Sequence, residues 1–345
     1  MSQSNTFLYR TVLPWLKHFS GVKPIFWCFN WGIIVLLALL VVARLMWFDG
    51  WTLFVWANQM TLYIYLPAYV IGGIAWLSRR YGLGVLATAV ALFHIGWIAP
   101  NFHDISLRGE SEPLLPTLRL FSLNLTNSNQ EVQAVAKEIA SLQPDILFFQ
   151  EYTPQWQVAM QKEGVFDSYP FGLADEKSQP YGVAIWSKHP VDTDLWQMDD
   201  TTVIHAIMKV DGETLELFNL YLPPLIDDFS TWDERMATVA ETLLQVEGPV
   251  IAIGDYNQTR YNRWYQTLTD GRLRDAHQTC GNPWATTWPN HSLYVPGILL
   301  DHALLSPEIT CTQVWEGQGK GSEHKPIILD VVIAAQAAGR QEAED

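Results

Sequence analysis

The fold is decided by residues 249–257, which read Pro-Val-Ile-Ala-Ile-Gly-Asp-Tyr-Asn. The four apolar residues are mostly β-branched and predict a buried strand. The strand ends at Asp255, and Asn257 follows two residues later. A carboxylate and an amide held at the end of a rigid strand suit a hard metal ion or a phosphate at the edge of a cleft. The same two side chains could instead cap the backbone of a simple turn, so the interpretation depends on the rest of the chain.

Strands and helices alternate on both sides of this stretch. Apolar residues at helical spacing predict helices within 132–142 and 232–244. Asp211-Gly212 separates two alternating runs and predicts a hairpin. Strand–helix–strand units combined with a hairpin indicate an α/β fold with a layered sandwich. The other predicted strands are 118–123, 146–149, 183–186, 206–210, 214–220, 303–305 and 327–332.

Polar side chains stand at the ends of these strands, where one side of a sandwich converges on a single cleft. Glu151, with Asp255 or Glu323, offers oxygen ligands for Mg²⁺. Asp301 and His324 offer an imidazole oriented by a carboxylate, which suits acid–base chemistry. The strand-end residues are Asn124, Gln150-Glu151, Tyr221, Asp255 with Asn257, Asp301, and Glu323-His324.

Residues 1–100 contain three long uncharged stretches, at 24–43, 51–78 and 81–102. Crossing a bilayer takes about 20 apolar residues, so we predict three transmembrane helices at about 25–47, 52–77 and 83–100. Basic residues precede the first helix, and Arg79-Arg80 lies between the second and third. The positive-inside rule then places the N-terminus in the cytoplasm and residues 101–345 outside it, with the chain in a bacterial inner or plasma membrane. If one stretch does not cross, this domain moves to the cytoplasm.

The part beyond residue 100 is strongly acidic, with 15 Lys and Arg against 35 Asp and Glu. That charge disfavours general binding of nucleic acid, but it allows one phosphate held through a divalent ion. Residues 101–117 are polar and acidic and predict a linker, and 334–345 predict a flexible tail. Cys280 and Cys311 could form a disulfide outside the cytoplasm or remain as two buried thiols.

In order and placement, the strand-end residues resemble the endonuclease/exonuclease/phosphatase superfamily. Its members include deoxyribonuclease-like enzymes, abasic-site endonucleases, inositol polyphosphate 5-phosphatases and neutral sphingomyelinases. The resemblance covers about 118–333, and it implies a four-layer α/β sandwich with two mixed sheets flanked by helices. It also implies metal-dependent cleavage of a phosphoester. Further matches lie in Tyr181–Pro190 and at Thr287-Trp288.

The resemblance implies a role for each site residue. Glu151 would bind Mg²⁺, or Mn²⁺ in its place, with Asn124 beside it. Asp255 would position or deprotonate the attacking water. The remaining catalytic assignments are Asn257 and Tyr221 on the phosphate and His324 paired with Asp301.

Two positions depart from the usual pattern of the family. Glu323, a metal-binding candidate, stands where Asp is usual and is one methylene longer. Tyr221 stands where many members have His. Abasic-site endonucleases also have Tyr at this position.

The substrate stays open between a lipid headgroup and a nucleic acid. Aromatic residues near the predicted cleft suit a membrane interface and favour a membrane-anchored lipid phosphoesterase. A cluster of four arginines favours an extracytoplasmic nuclease. A non-catalytic binding protein on the same fold is the third alternative. The aromatic residues are Tyr221, Phe229, Trp232, Trp284, Trp288 and Tyr294, and the arginines are Arg260, Arg263, Arg272 and Arg274.

Overall fold

The chain divides into two compact units between Pro100 and Asn101. A computed structural model describes residues 24–102, 118–175, 182–198, 201–210, 212–225 and 228–333. Residues 103–117 of the predicted linker and the predicted tail at 334–345 lie outside the described residues. Each unit is described separately below.

The first unit is helical and apolar. Helix α1 (Pro24–Trp47) and helix α5 (Tyr81–Ile98) are each long and apolar enough to cross a membrane. The span predicted at about 52–77 is not one straight helix, because this segment is broken into α2 (Thr52–Gln59), α3 (Thr61–Ile64) and α4 (Leu66–Leu77). Residues 52–59 and 61–77 meet at a bend of 73°, and the pair together could form a third span.

Local chemistry accounts for both breaks. Near Met60, the hydroxyl of Thr61 donates to the carbonyl oxygen of Asn58 at 2.6 Å, and such side-chain bonds compete with helical backbone bonds. Near Tyr65, Pro67 stands in the first turn of α4. Proline lacks an N–H and its ring crowds the preceding turn, so it is favoured where a helix begins and disfavoured inside one.

Polar contacts join the ends of these helices. The Nη1 atom of Arg44 donates to the side chains of Asn58 at 3.0 Å and Thr61 at 2.6 Å. The Arg44 guanidinium also lies 4.4 Å from the centre of the Trp97 ring. At the other end of α1, the guanidinium of Arg80 lies 5.2 Å from the centre of the Trp27 ring. Helices α1 and α5 therefore run in the same direction, and the segment between them returns from one end of α1 to the other.

The second unit contains two six-stranded mixed sheets. The first sheet has the order β11-β12-β1-β2-β4-β3, and the second has the order β5-β6-β7-β8-β10-β9. In the first sheet, the strands are β1 (Leu118–Asn124), β2 (Ile146–Gln150), β3 (Phe171–Asp175), β4 (Val183–Ser187), β11 (Ile309–Glu316) and β12 (Ile327–Ile333). In the second, they are β5 (Asp192–Met198), β6 (Thr201–Val210), β7 (Glu213–Tyr221), β8 (Val250–Asp255), β9 (Arg274–Asp275) and β10 (Asp301–Leu305).

Helices cover the outer faces of the two sheets, which gives a four-layer α/β sandwich. Between the sheets lies an apolar core drawn from both, with Phe148 and Ile253 fully buried. On the first sheet, α6 (Val132–Leu142) and α7 (Pro154–Lys162) bury Ile139 and Trp156 against a second cluster. The remaining helices are α8 (Phe229–Gln245), α9 (Arg263–Asp270) and α10 (Ala276–Thr279), and a 3₁₀ turn spans Val165–Ser168.

A disulfide joins Cys280 to Cys311, with the two Cα atoms 5.8 Å apart. Cys280 follows α10, and Cys311 lies in β11 at the edge of the first sheet. Because β9 and α10 belong with the second sheet, the disulfide links the two sheets covalently.

Candidate functional site

The strand registers bring the polar strand ends together. Strands β1 and β2 are parallel, with Asn124 opposite Gln150. Strands β7 and β8 are also parallel, with Tyr221 opposite Asp255. Strand β10 runs antiparallel to β8, so that its first residue, Asp301, lies opposite Asp255 at the end of β8. The predicted convergence on one edge of the sandwich is therefore present.

Asp255 lies at the centre of this edge and is 1 % exposed. Its Oδ1 accepts a hydrogen bond from the backbone N of Asn257 at 2.8 Å. Its Oδ2 accepts from the side-chain amides of Asn124 at 3.0 Å and Asn257 at 3.2 Å. These donors fix the carboxylate in one orientation at the end of β8.

Gly254 explains why a glycine precedes this aspartate. Its φ is +145°, and a Cβ there would collide with the backbone carbonyl of Leu220 on β7. Only glycine allows β8 to approach β7 so closely, and this approach places Asp255 opposite Tyr221.

His324 completes a cluster with two carboxylates. Its Nδ1 lies 2.8 Å from Oδ2 of Asp301, and its Nε2 lies 3.8 Å from Oδ2 of Asp255. One ligand atom from each of the three residues lies within 4.8 Å of the others. The arrangement is an imidazole oriented by one carboxylate and directed at a second, which suits proton transfer or stabilisation of an anion.

The pKa values of this pair are shifted upwards. Burial raises the pKa of Asp255 to about 7, and the neighbouring Asp301 carboxylate adds to the rise, whereas His324 opposes it. Burial lowers the pKa of His324, but the carboxylates of Asp301 and Asp255 outweigh burial and raise the pKa to about 9. The two carboxylates therefore favour the protonated form of His324, and in that form the imidazole can donate a hydrogen bond to a phosphate oxygen.

Glu151 lies beside this cluster in a left-handed backbone conformation, with φ of 52°. Its Oε1 accepts from the Asn124 amide and the Tyr221 hydroxyl, each at 3.2 Å. Its Oε2 accepts from the backbone N of Asn127 at 2.9 Å. Asn257 has a φ of 48°. Such conformations cost about 1–3 kcal/mol for ordinary residues and are concentrated at functional sites.

The carboxylate oxygens of Glu151 are ligands that fit a hard divalent cation. Its carboxylate is only half-buried, so a bound ion could keep the waters that Mg²⁺ retains. In this structure Asn124 directs its Nδ2 at Glu151 and Asp255, while its Oδ1 accepts from the backbone N of Thr126 at 2.9 Å. Asn124 therefore acts here as a donor that holds the two carboxylates together.

Glu323 is the predicted site residue that the structure does not bring into the cluster. It is exposed, and its backbone makes the contacts: its N donates to the Thr126 hydroxyl at 3.0 Å and its carbonyl accepts from Asn290 N at 2.6 Å. Its side chain therefore lies at the exposed rim of the site.

Sequence reasoning missed several residues that support the site. The hydroxyl of Ser322 accepts from His324 N at 2.9 Å and donates to the Asn124 carbonyl at 2.6 Å. The hydroxyl of Thr287 accepts from Asp301 N at 3.1 Å. Both residues stood in motifs that the sequence shows, so their position was a usable signal. No feature of the sequence could have identified the backbone N–H of Asn127, because almost every residue has such a group.

Below the site, two buried amides join the sheets. The Nε2 of Gln150 on β2 donates to the Oδ1 of Asn219 on β7 at 2.7 Å. The Asn219 amide in turn donates to the carbonyls of Phe149 at 3.0 Å and Ala184 at 2.8 Å. This bridge fixes the distance between the strands that carry Glu151 and Tyr221.

The chain belongs to the Endonuclease/Exonuclease/phosphatase family, whose profile matches residues 117–324. The members of this family are phosphoester hydrolases and nucleases, and the chain is an enzyme of this metal-dependent class. The family match confirms the resemblance on which the sequence interpretation depended.

Solved structures show the same fold at low sequence identity. A family member from Bacteroides vulgatus is 14% identical with a TM-score of 0.53, over 63% of this chain and 98% of its own. A mannosyl-6-phosphatase from Bacteroides thetaiotaomicron is 17% identical with a TM-score of 0.51, over 63% and 100%. D. rerio TDP2 in complex with a single-strand DNA product is 17% identical with a TM-score of 0.51, over 62% and 98%. No curated protein matches the chain.

Proposed function

We propose that this chain is a membrane-anchored, Mg²⁺-dependent phosphoester hydrolase that acts on a lipid headgroup outside the cytoplasm. The observation that carries the proposal is the cluster of Asp301, His324 and Asp255 beside Glu151 at one edge of the sandwich. It supplies an oriented imidazole, a carboxylate for the attacking water and an oxygen ligand for a cation in one place.

Each residue of the site has a separate proposed role. Asp255 orients the attacking water, and Asn257 and Tyr221 hold the phosphate oxygens. His324, oriented by Asp301, donates to the phosphate or transfers a proton, and either it or Asp255 accepts the proton of the water. Glu151 would hold Mg²⁺, or Mn²⁺ in its place, with Asn124 as its neighbour, whereas the predicted ligand Glu323 lies outside the cluster. When bound, the ion offsets negative charge that develops on the phosphate.

The arginines weaken the alternative of a nuclease. Arg263 is paired with Asp233, and Arg272 is paired with Glu308 at 2.8 Å. Because acidic partners offset two of the four charges, the cluster offers less attraction to a polyphosphate backbone than its composition indicates. The nuclease stays the second candidate, since the described cluster still contains Arg274, which is exposed.

The helix contacts support three membrane crossings. Arg44 near the end of α1 contacts Trp97 near the end of α5, and Arg80 contacts Trp27 near the start of α1. Two parallel spans need a returning span between them, and the 17 residues of 61–77, which contain α3 and α4, would cover about 25 Å at the helical rise, close to the thickness of the hydrocarbon core. Three crossings place the N-terminus and residues 101–345 on opposite sides.

Charge and the disulfide support an external catalytic domain. Arg79-Arg80 lies at the same end of the helices as the start of α1, which the sequence places in the cytoplasm. The Cys280–Cys311 disulfide is typical of an oxidising compartment. We propose a linker at 101–117, a catalytic domain at 118–333 and a flexible tail at 334–345.

Hydrolysis by the full-length enzyme in detergent with Mg²⁺ tests the chemistry. The substrates are bis-p-nitrophenyl phosphate, plasmid DNA and phospholipid or sphingomyelin in mixed micelles. Lipid turnover that is lost in Asp255→Asn and His324→Asn, but kept in the control His189→Asn, supports the proposal. His189 is half-exposed and lies beyond the opposite end of β4. Plasmid cutting without lipid turnover would favour the nuclease, and equal activity in all variants would refute the site.

Reporter fusions after Asp345 test the location. If the domain is external, we expect a phosphatase fused there to be active and a fluorescent protein fused there to give no fluorescence. A fluorescent fusion without phosphatase activity would show that residues 52–77 do not cross.

A further inference from the structure

An uncharged loop at 291–297 projects from the catalytic unit with an apolar tip. Its base is closed by two backbone hydrogen bonds between Trp288 and Ile298, at 3.0 and 2.6 Å. At the tip, Leu293 is 93% exposed and Tyr294 is 95% exposed. No Asp, Glu, Lys or Arg occurs between residues 289 and 300, within a part of the chain that is otherwise strongly acidic.

The tip differs from the other apolar surface of this unit. Val295 in the same loop is also exposed, and the exposed large apolar side chains outside the loop, within the described residues from 118 to 333, are single residues, namely Val158, Phe171 and Leu195. Single exposed apolar side chains are normal, whereas adjacent ones projecting together mark an interaction site. Of the six aromatic residues that the sequence singled out, Tyr221 and Trp232 are buried and Tyr294 is the one that is fully presented to solvent.

The base of the loop is bonded to the segment that carries His324. The side-chain amide of Asn290 donates to the carbonyls of Gln318 at 2.9 Å and Gly319 at 3.1 Å, and also to that of His324 at 3.3 Å. The backbone N of Lys325 donates to the Thr287 carbonyl at 2.9 Å. Whatever the tip contacts is therefore held close to the catalytic histidine.

We propose that loop 291–297 inserts Leu293 and Tyr294 into the interface of the lipid bilayer and holds the His324 edge of the domain against the membrane. This inference rests on the proposed function, and it identifies the segment that brings the site to a lipid substrate. Leucine supplies the apolar contact, and the phenol of tyrosine suits the level of the headgroups.

Two further observations favour a bilayer as the partner. The 15 residues from 103 to 117 can extend to about 50 Å at most, so a domain that follows membrane-spanning helices stays near the membrane. Lys320 and Lys325 line one groove with Asn290 and His291 at the base of the loop. Although Glu131 lies 3.9 Å from Lys320, both lysines can donate hydrogen bonds to the phosphate of a lipid headgroup.

Depth-dependent quenching tests the insertion without requiring activity. Full-length protein carrying Cys28→Ser is given Tyr294→Cys or, as a control, Val158→Cys, and is labelled with a polarity-sensitive fluorophore. It is then reconstituted in vesicles of phosphatidylcholine and phosphatidylglycerol that contain a spin-labelled lipid. We expect quenching and a blue shift at position 294 and neither at 158. Equal emission at the two positions in the presence and absence of the spin label would overturn the proposal.

Kinetics on two substrates distinguish the loss of membrane contact by the loop from the loss of catalysis at the site. In Leu293→Ser/Tyr294→Ser, we expect turnover of vesicle phospholipid to fall at least about tenfold, because apolar contact with the bilayer is lost. Turnover of bis-p-nitrophenyl phosphate should stay within about twofold, since no catalytic group changes. An equal fall on both substrates would contradict a role confined to the membrane. If the wild type hydrolyses no lipid, quenching at 294 still decides whether the loop inserts.

Discussion

In the described part of the second unit, two histidine rings are hydrogen-bonded to aspartates, and adjacent residues contribute to the two pairs. Asp301 pairs with His324 at 2.8 Å, and the next residue, His302, pairs with Asp275 at 2.7 Å. The Nε2 of His324 faces the Asp255 carboxylate at 3.8 Å, whereas the Nε2 of His302 lies 3.0 Å from the carbonyl oxygen of Gln258. The pairs share their chemistry but differ in what the second nitrogen meets.

This difference favours the catalytic role proposed for the Asp301 pair and a structural role for the Asp275 pair. In the Asp275 pair, both imidazole nitrogens have protein partners, His302 is fully buried, and the rings of Tyr256 and Tyr265 pack against it at 5.5 and 4.7 Å. In the Asp301 pair, the second nitrogen is directed at another titratable group beside a half-buried carboxylate. An oriented imidazole therefore indicates a site only when its other nitrogen has a reacting partner to meet.

Removing the carboxylate of the Asp301–His324 pair should have the largest effect. In Asp301→Asn, the imidazole of His324 loses the partner that orients it and holds its charge. We expect turnover of bis-p-nitrophenyl phosphate to fall by about 10²–10⁴. Asp275→Asn is the matched change in the buried pair and should keep the turnover per folded molecule. Similar losses in both variants would remove the distinction between the pairs.

Removing the imidazole of the buried pair should reduce stability. His302→Ala leaves Asp275, which is 1% exposed, without the imidazole that lies 2.7 Å from its Oδ2. Breaking a buried pair in this way costs about 3–5 kcal/mol. The melting transition of the full-length protein in detergent, followed by near-ultraviolet circular dichroism, should move to lower temperature. An unchanged transition would show that the pair contributes nothing to the fold.

The amide bridge below the site should have an intermediate effect. Gln150→Ala removes the bond to Asn219 at 2.7 Å and leaves a buried oxygen unpaired. The expected cost is about 1–3 kcal/mol, measured by the same melting experiment, with the exposed Gln161→Ala as a control. If the two variants have the same melting temperature, the bridge does not stabilise the sandwich.

The acid dependence of stability should show the smallest effect. Burial alone would raise the pKa of Asp275, but the hydrogen bond from His302 and the charge of His277 outweigh it and hold the pKa below its ordinary value of 3.8. The unfolded chain then binds more protons than the folded one, so Asp275 stabilises the fold in full above about pH 4, and this contribution is lost as the pH falls through the folded pKa. Melting temperatures between pH 7 and pH 3 should fall less steeply in Asp275→Asn than in the wild type. Parallel curves would contradict the shift.

The sequence predicted the interior of the two sheets but not their borders. All eight predicted strands are present, whereas β3, β5, β9 and β11 were missed, and these four are the edge strands of the two sheets. Edge strands are buried on fewer sides and carry polar residues, so the alternation that reveals a strand is weak. Strand β5 illustrates this, since five of its seven residues read Asp-Thr-Asp-Leu-Trp and mostly face solvent.

The site was predictable where strand ends carry it. Asn124, Glu151, Asp255 and Asp301 stand at ends that the registers align, and periodicity alone located those ends. Two features had no such signal. Glu323 stands in a motif with His324 but is exposed at the rim, and the pairing of His302 with Asp275 joins residues that no motif connects.

The most direct test of the central claim compares His324→Asn with His302→Asn in the full-length enzyme with Mg²⁺ and bis-p-nitrophenyl phosphate. Turnover is measured at a temperature where both variants are folded by circular dichroism. We predict that His324→Asn loses at least about a hundredfold and that His302→Asn keeps the wild-type rate per folded molecule. A His324→Asn enzyme that retains the wild-type rate, or a His302→Asn enzyme that loses as much, would contradict the assignment of the site.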